Sequence, residues 1–265
     1  MFMTTSLSIS RRDIIEARLA KGQEIVASAV AIEFDISEDA VRRDLRALAA
    51  EGKCRRVYGG ALPLVTPSRP IAERIGQASE RKTALARVAA GTVAAGELLF
   101  LDCGSTNLAM AALLPGDQKL TVATNSIDIA AAIIKRGDIP LILIGGVVDP
   151  VVGGSVDASA IARLDELNID RCFVGACAVS AETGPKGGMS VQEHADAIFK
   201  RKLMTRSAIN IVLATSEKFE ERAPHRIGYA KDIDWLIVED DLAADTKQAL
   251  TNAGYAMLTP GQSAA

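Results

Sequence analysis

The chain is short of several things, and each shortage removes a class of protein. Aromatic residues make up only 4% of the 265 residues, with a single tryptophan, so any core must be built from Ala, Val, Leu and Ile. There are two histidines, His194 and His225, and they stand in no metal-ligand spacing, so no metal site is expected. The four cysteines, Cys54, Cys103, Cys172 and Cys177, form no C-x-x-C pair. No leader peptide or long apolar span opens the chain. Together these lead to the expectation of a reduced, cytoplasmic protein with free thiols and no membrane partner. A net charge of −3 argues against a protein that is basic all over.

What is present is apolar and unevenly charged. Apolar residues make up 49%, enough for a sizeable core, and the length exceeds one ordinary domain, so one large or two unequal domains are expected. Residues 1–70 hold 11 Lys/Arg against 9 Asp/Glu, whereas the remainder holds 19 against 24. Six basic residues fall within 42–56 (Arg42, Arg43, Arg46, Lys53, Arg55, Arg56) against Asp44 and Glu51. A focus of that kind is the footprint of a nucleic-acid contact.

The focus is organised. Taken as a helix from Ser37 to Leu48, the chain puts Val41, Leu45 and Leu48 on one side and Arg42, Arg43 and Arg46 largely on the other. Ser37 stands where an N-cap belongs, with Glu38 and Asp39 in the first turn, where the helix dipole favours acids. By itself this is equally an amphipathic helix with a solvated basic face. The neighbours decide. Ser10 is placed to cap a helix of about Arg11–Ala20 on an Ile14, Ile15, Leu19 stripe, stopped by Gly22. A short helix from about Ser28 to Phe34 uses Val30, Ile32 and Phe34, and the turn at 35–37 leads into the basic helix. That order is a helix-turn-helix whose last helix enters the major groove. Gly52 ends it, residues 53–58 read as a strand, Gly59-Gly60 as a turn and Ala61-Leu62 as the return. A basic hairpin there is a wing, with Arg55 and Arg56 on it.

Val41-Arg42-Arg43-Asp44-Leu45, Leu48, Gly52, Arg56 and Tyr58-Gly59-Gly60-Ala61 resemble, in order and spacing, the N-terminal signature of DeoR-type bacterial transcription regulators. The resemblance implies Arg42, Arg43 and Arg46 as contacts to double-stranded operator DNA, with Asp44 orienting an arginine. Ala40 departs from it, standing where the family usually has Thr. Pro63, Pro67 and Pro70, with Thr66 and Ser68 between, read as a linker. The expected domains are 1–62 for DNA, 63–78 as linker and 79–265 for a second function.

Beyond the linker the pattern changes. After a helix of about Ser79–Ala95, short apolar runs begin near 98, 120, 141, 172, 209 and 235, several separated by Ala-rich helical stretches. Runs apolar on both faces that alternate with helices indicate an α/β domain with a mostly parallel sheet, where ligands bind beyond the carboxyl ends of the strands. There the chain places Asp102-Cys103-Gly104-Ser105-Thr106-Asn107, then Thr124-Asn125-Ser126, then Gly145-Gly146, then Lys186 with Glu193, then Lys218. Gly-Ser-Thr at a helix start is an anion cradle. Polar or Gly-rich strand ends and two lysines point to a small anionic ligand.

These stretches also resemble the DeoR effector domain, similar in fold to ribose-5-phosphate isomerase. The resemblance implies a phosphorylated sugar or related sugar derivative. Gly104–Asn107 and Thr124–Ser126 would hold phosphate and hydroxyls, Lys218 would supply charge, and Lys186 and Glu193 are placed like the isomerase's Lys and Glu. Thr215 and Cys103 depart from it, where the family usually has Asp and often has Ser. The expectation is therefore a winged helix-turn-helix joined to an α/β effector domain: a repressor of a carbohydrate operon, working as a homo-oligomer (dimer or tetramer), without cofactor or catalytic residues. The alternative is an aldose–ketose isomerase with Glu193 as base and Lys186 as electrophile. Against it, Ala176–Ser180 occupies the strand end where an isomerase would carry aspartates. A third reading, a domain that only oligomerises, does not account for the retained polar strand ends. Cys103 reads as a small buried filler, His194 as a solvated helix residue, and Asp170 as a cap or pair.

Overall fold

The computed structural model describes residues 11–20, 23–63, 70–182, 184 and 187–261. The expected cap Ser10, the stop Gly22 and Lys186 lie outside the described residues. The chain divides into two compact units, Met1–Pro67 and Ser68–Ala265.

In the first unit, α1 (Arg11–Ala20), β1 (Ile25–Val26), α2 (Ala27–Glu33), α3 (Glu38–Ala50), β2 (Cys54–Val57) and β3 (Gly60–Pro63) follow in order. The strands form an antiparallel sheet in the order β1-β3-β2. Ile15, Leu19, Val30, Val41, Leu45 and Leu48 close one small core. Truncating one of these to alanine removes about 2–5 kcal/mol. Two expectations are corrected. Ile32 points outward and is 83% exposed, because Ala27, Val30 and Ala31 form the buried stripe of α2. The strand β1 was not foreseen, since two residues carry no periodicity.

The second unit is built on a seven-stranded parallel sheet. Its strands are β4 (Leu98–Leu101), β5 (Thr121–Thr124), β6 (Leu141–Leu143), β9 (Ile169–Val174), β12 (Ser207–Ala214), β14 (Trp235–Val238) and β15 (Met257–Leu258), in the order β15-β14-β12-β9-β4-β5-β6. Alternate residues feed two separate cores, which is why the strands are apolar on both faces. Leu99, Leu101, Phe173 and Leu213 pack with α5 (Ser79–Gly91), α6 (Ser105–Ala111) and α7 (Ile127–Arg136). Phe100, Cys172, Val174 and Val212 pack with α8 (Ala158–Arg163) and α9 (His194–Thr205). The chain winds outward from β4 to β6, then returns beside β4 as β9. The β4/β9 pair is therefore the switch point, where an open α/β sheet leaves a crevice at the carboxyl ends.

Several pieces were not anticipated. A hairpin of β7 (Val148–Asp149) and β8 (Gly154–Ser155), and an antiparallel sheet of β10 (Ala178–Ser180), β11 (Gly188–Val191) and β13 (His225–Gly228), interrupt the parallel pattern. A helix, α10 (Ala244–Asn252), leads into β15. Within the segment expected to be linker, Ile71–Ile75 form a short helix, α4, with Ile71 buried. Pro70 before it and the apolar Ile71 give it a start and an anchor, which proline punctuation alone does not reveal.

Candidate functional site

In the first unit, α3 carries its arginines outward. Ser37 caps the helix, its hydroxyl accepting the Ala40 N–H at 3.3 Å. Val41, Leu45 and Leu48 are buried, while Arg42, Arg43 and Arg46 are exposed. Arg42 is held one turn back by Glu38 at 2.7 Å and Asp39 at 3.4 Å, so its guanidinium is pre-placed beside the start of the helix. Arg43 and Arg46 make no ion pair among the described residues. Asp44 accepts from Arg11 Nε at 2.7 Å, tying α3 to α1. It orients an arginine, as expected, but one that braces the fold. Arg55 and Arg56 are exposed on β2, and Tyr58 is fully exposed at the hairpin turn, where Gly59 has φ +85°. Five guanidinium groups of this unit are thus exposed, three on α3 and two on β2, where consecutive residues point to opposite sides of the strand.

The second site forms at the switch point. Asp102, next after β4, is fully buried and its Oδ2 accepts the Gly175 N–H just beyond β9 at 2.7 Å. The same oxygen accepts from Lys200 Nζ of α9 at 2.5 Å, and Asp196, one turn before Lys200, lies 3.0 Å from that ammonium. Two carboxylates thus flank one buried cation. Their fields hold the Lys200 ammonium above its ordinary range against the opposing effect of burial, so it stays charged. Burial pushes the Asp196 carboxyl up to about 6 even beside Lys200. The crossing is tight: a Cβ on Gly175 would stand 2.6 Å from the Cys103 carbonyl oxygen, and one on Gly154 would overlap Cys103 Sγ. Burial raises the Cys103 thiol well above its usual range, as befits a small filler.

The residues predicted from sequence divide into those gathered here and those that are not. Asp102, Thr124, Asn125 and Ser126 are buried at the switch point with Asn107. Most of their polar atoms are committed to the fold. Thr124 Oγ1 donates to the Leu101 carbonyl at 2.5 Å, Ser126 caps α7, and Asn107 Nδ2 donates to the Asp102 and Phe173 carbonyls. Thr106 is buried, while Gly104 and Ser105 at the start of α6 are half-buried. Two acceptors, Asp102 Oδ1 and Asn125 Oδ1, have no donor among the described residues. Lys218 belongs to the 3-10 turn Ser216–Phe219, whose start is held by Glu239 accepting the Ser216 N–H at 2.7 Å. Lys218 Nζ donates to the Ala176 carbonyl at 2.6 Å, which brings it to the end of β9, and burial lowers it to about 8.

Gly145 and Gly146 are exposed past β6, with Gly146 against Asp157 and Ser159; nothing joins them to the cluster among the described residues. Glu193 is an exposed residue preceding α9. His194 is exposed at the start of α9, as expected of a solvated helix residue, and packs edge-on against His225 with ring centroids 5.1 Å apart. Asp170 accepts the Leu98 N–H at 2.7 Å and anchors the start of β4. The sequence reading missed Lys200, Asp196 and Gly175. The i,i+4 spacing of Asp196 and Lys200 was a visible signal; their meeting with Asp102 depends on the strand order and was not.

Comparison with known proteins names a family for each of the two units. Residues 11–64 match the model of the DeoR-like helix-turn-helix domain, and residues 77–240 match that of the DeoR C terminal sensor domain. A protein named as a candidate repressor of the aga operon in Escherichia coli O157:H7 is 26% identical over 95% of this chain and 94% of its own. The glycerol-3-phosphate regulon repressor of Escherichia coli K12 is 25% identical over 88% and 92%. Among solved structures, a ribose 5-phosphate isomerase from Methanocaldococcus jannaschii covers 53% of this chain and 54% of its own, with 18% identity and a TM-score of 0.39. No helix among the described residues is long and apolar enough to cross a membrane.

Proposed function

The chain belongs to the DeoR family of transcriptional regulators, and we propose that it represses a carbohydrate-metabolism operon under the control of a phosphorylated sugar or related sugar derivative. The observation that carries the DNA half is α3, with its apolar face buried and Arg42, Arg43 and Arg46 turned outward. These residues, with Ser37 at the helix start and Arg55 and Arg56 of the wing, meet phosphates and base edges. The DNA-binding part spans residues 1–62 and the effector part 79–265.

The effector half rests on the switch-point cluster. Lys218 and the half-buried start of α6 at Gly104 and Ser105 suit an anionic group, while Asp102 Oδ1 and Asn125 Oδ1 suit hydroxyl donors. A relative named for glycerol 3-phosphate supports a ligand of this class. We assign no catalysis. Asp102 is bonded to Lys200 and Gly175, and Glu193 is exposed before α9, so neither is poised as a general base. Relatives named as transcriptional regulators support the same reading. A repeated or palindromic operator calls for a homodimer or tetramer.

The test is selection of DNA from fragments of the source genome, with and without a mixture of sugar phosphates. Enrichment of one or a few fragments, altered by the mixture, is expected. No enrichment under either condition, with substantial turnover of pentose or hexose phosphates, would replace the regulator with an isomerase.

A further inference from the structure

One edge of the second unit exposes more apolar surface than its fold requires. Among the described residues, nine large apolar side chains of this unit are exposed, and five of them, Ile127, Ile134, Leu143, Val147 and Val148, fall between 127 and 148. Their elements adjoin in space. Leu143 pairs with Thr124, two residues before the cap of α7, and shares the sheet face of Leu141, which packs with the buried Ile129 and Ile133 of α7. Val148 pairs with Ser155 in the β7–β8 hairpin, and Gly153 of that hairpin accepts the Ile127 N–H at 3.2 Å. Along α7 itself, Ile127, Ala131 and Ile134 are exposed at i, i+4 and i+7, a stripe separate from the buried Ile129, Ala130 and Ile133. A helix with two apolar stripes has two surfaces to cover, and the unit's own core covers one. Beside it β6 is the last strand of the sheet, and from Ile139 to Val148 the chain carries no charged side chain. The charges that commonly keep a strand edge from meeting another chain are thus missing here. Asp128 and Lys135 stand in the first and last turns of α7 on one flank of the stripe, about two turns apart. Neither joins an ion pair among the described residues.

Resting on the reading of the chain as a homo-oligomer, we propose that this edge joins two copies of the chain across a two-fold axis, α7 of one lying antiparallel on α7 of the other. The charges select that occupant. With the axis between Ala131 and Ala132, Asp128 of each copy stands opposite Lys135 of the other, on the same flank of the pair. A parallel arrangement would set acid against acid and base against base. The antiparallel one also opposes the two helix dipoles favourably. Ala131, small and exposed, lies next to the axis and lets the helices approach, and Ile127 of each copy falls beside Ile134 of the other. The patch continues onto Leu143, Val147 and Val148, so the contact extends beyond the helix pair.

Sedimentation of the full chain over a range of concentrations tests this. The unmutated chain is expected to sediment as a multiple of the monomer. I134E changes a side chain that is 69% exposed, so the fold is kept, as circular dichroism will read; it is expected to halve the sedimenting mass or to weaken association about tenfold or more. D128K and K135D are each expected to weaken association, and D128K/K135D to recover it, because opposite charges face each other again. A131C is expected to give a covalent dimer on mild oxidation that the unmutated chain does not. A folded I134E chain that associates as the unmutated chain does overturns this face and leaves a homo-oligomer built on another. A double charge variant no better than the single ones, or an A131C chain that gives no covalent dimer, overturns the antiparallel register. If the unmutated chain is a monomer at every concentration, the homo-oligomer and this face fail together.

Discussion

Lys200 is the side chain whose removal asks the most of the effector unit. It is 2% exposed and stands between Asp102 at 2.5 Å and Asp196 at 3.0 Å. Replacing it with methionine keeps the volume and strands two buried carboxylates without a cation. Breaking a buried ion pair in this way removes about 3–5 kcal/mol. The pH dependence gives a second handle. In the unmutated chain burial lifts Asp196 from 3.8 to about 6. The folded state thus binds that proton more readily than the unfolded state, and its contribution is fully present below about pH 4 and lost as pH rises through 6. Without Lys200 the Asp196 carboxyl loses the cation that lowers it and binds its proton at still higher pH. The deficit of K200M is therefore expected to shrink on going from pH 7.5 to 5.5, by about 1–3 kcal/mol. Urea unfolding followed by Trp235 fluorescence reads this directly, since the one tryptophan lies in β14 of the same unit. A deficit under about 1 kcal/mol at pH 7.5, or one that grows on acidification, would refute the charge triad as the element holding β4, β9 and α9 together.

Three further outcomes follow from the two sites. R43A is expected to weaken binding of a genome-selected fragment by about 1–3 kcal/mol if Arg43 reads a base, or to lower the salt slope by about one if it meets a phosphate; unchanged affinity and slope in a filter-binding series would move α3 out of the groove. Lys218 is lowered to about 8 by burial, and if it binds the anion as the cation, affinity for ribose 5-phosphate is expected to be flat between about pH 7 and 8, where the phosphate is a dianion, and to fall by up to about tenfold per unit above that. Calorimetry at pH 7 and 9 showing equal affinity would remove Lys218 from the site. G60A places a Cβ into the Ile25 carbonyl across the β1–β3 pair and is expected to unfold the first unit while leaving the Trp235 transition in place, with circular dichroism separating the two.

Much of this was legible because it is local. The three apolar and three basic positions of α3 repeat at the helical period, and β4 and β14 were bounded at 98–101 and 235–238 because continuous apolar runs end at polar strand termini. What periodicity cannot carry is partnership at a distance. Asp102 was recognised as a strand-end acid, yet its partner Lys200 lies 98 residues away and is brought to it by the strand order. Asn107, Thr124 and Ser126 looked like ligand groups because they are polar at helix starts; the structure spends their polar atoms on the Asp102, Phe173 and Leu101 carbonyls and the α7 cap. The same residue types serve both purposes, and only burial and partners tell them apart. The helix α4 was hidden for another reason: five residues bracketed by Pro70 and Gly76 carry turn signals on either side of a single apolar anchor.

The Asp102–Lys200–Asp196 triad sets what can move at the switch point. Breaking one of its buried pairs costs about 3–5 kcal/mol, more than the ~1–3 kcal/mol of ordinary allosteric coupling. The triad is therefore a fixed part of the unit: it holds the carboxyl ends of β4 and β9 together through Asp102 and the Gly175 N–H, so that a ligand bound there would meet a preformed surface.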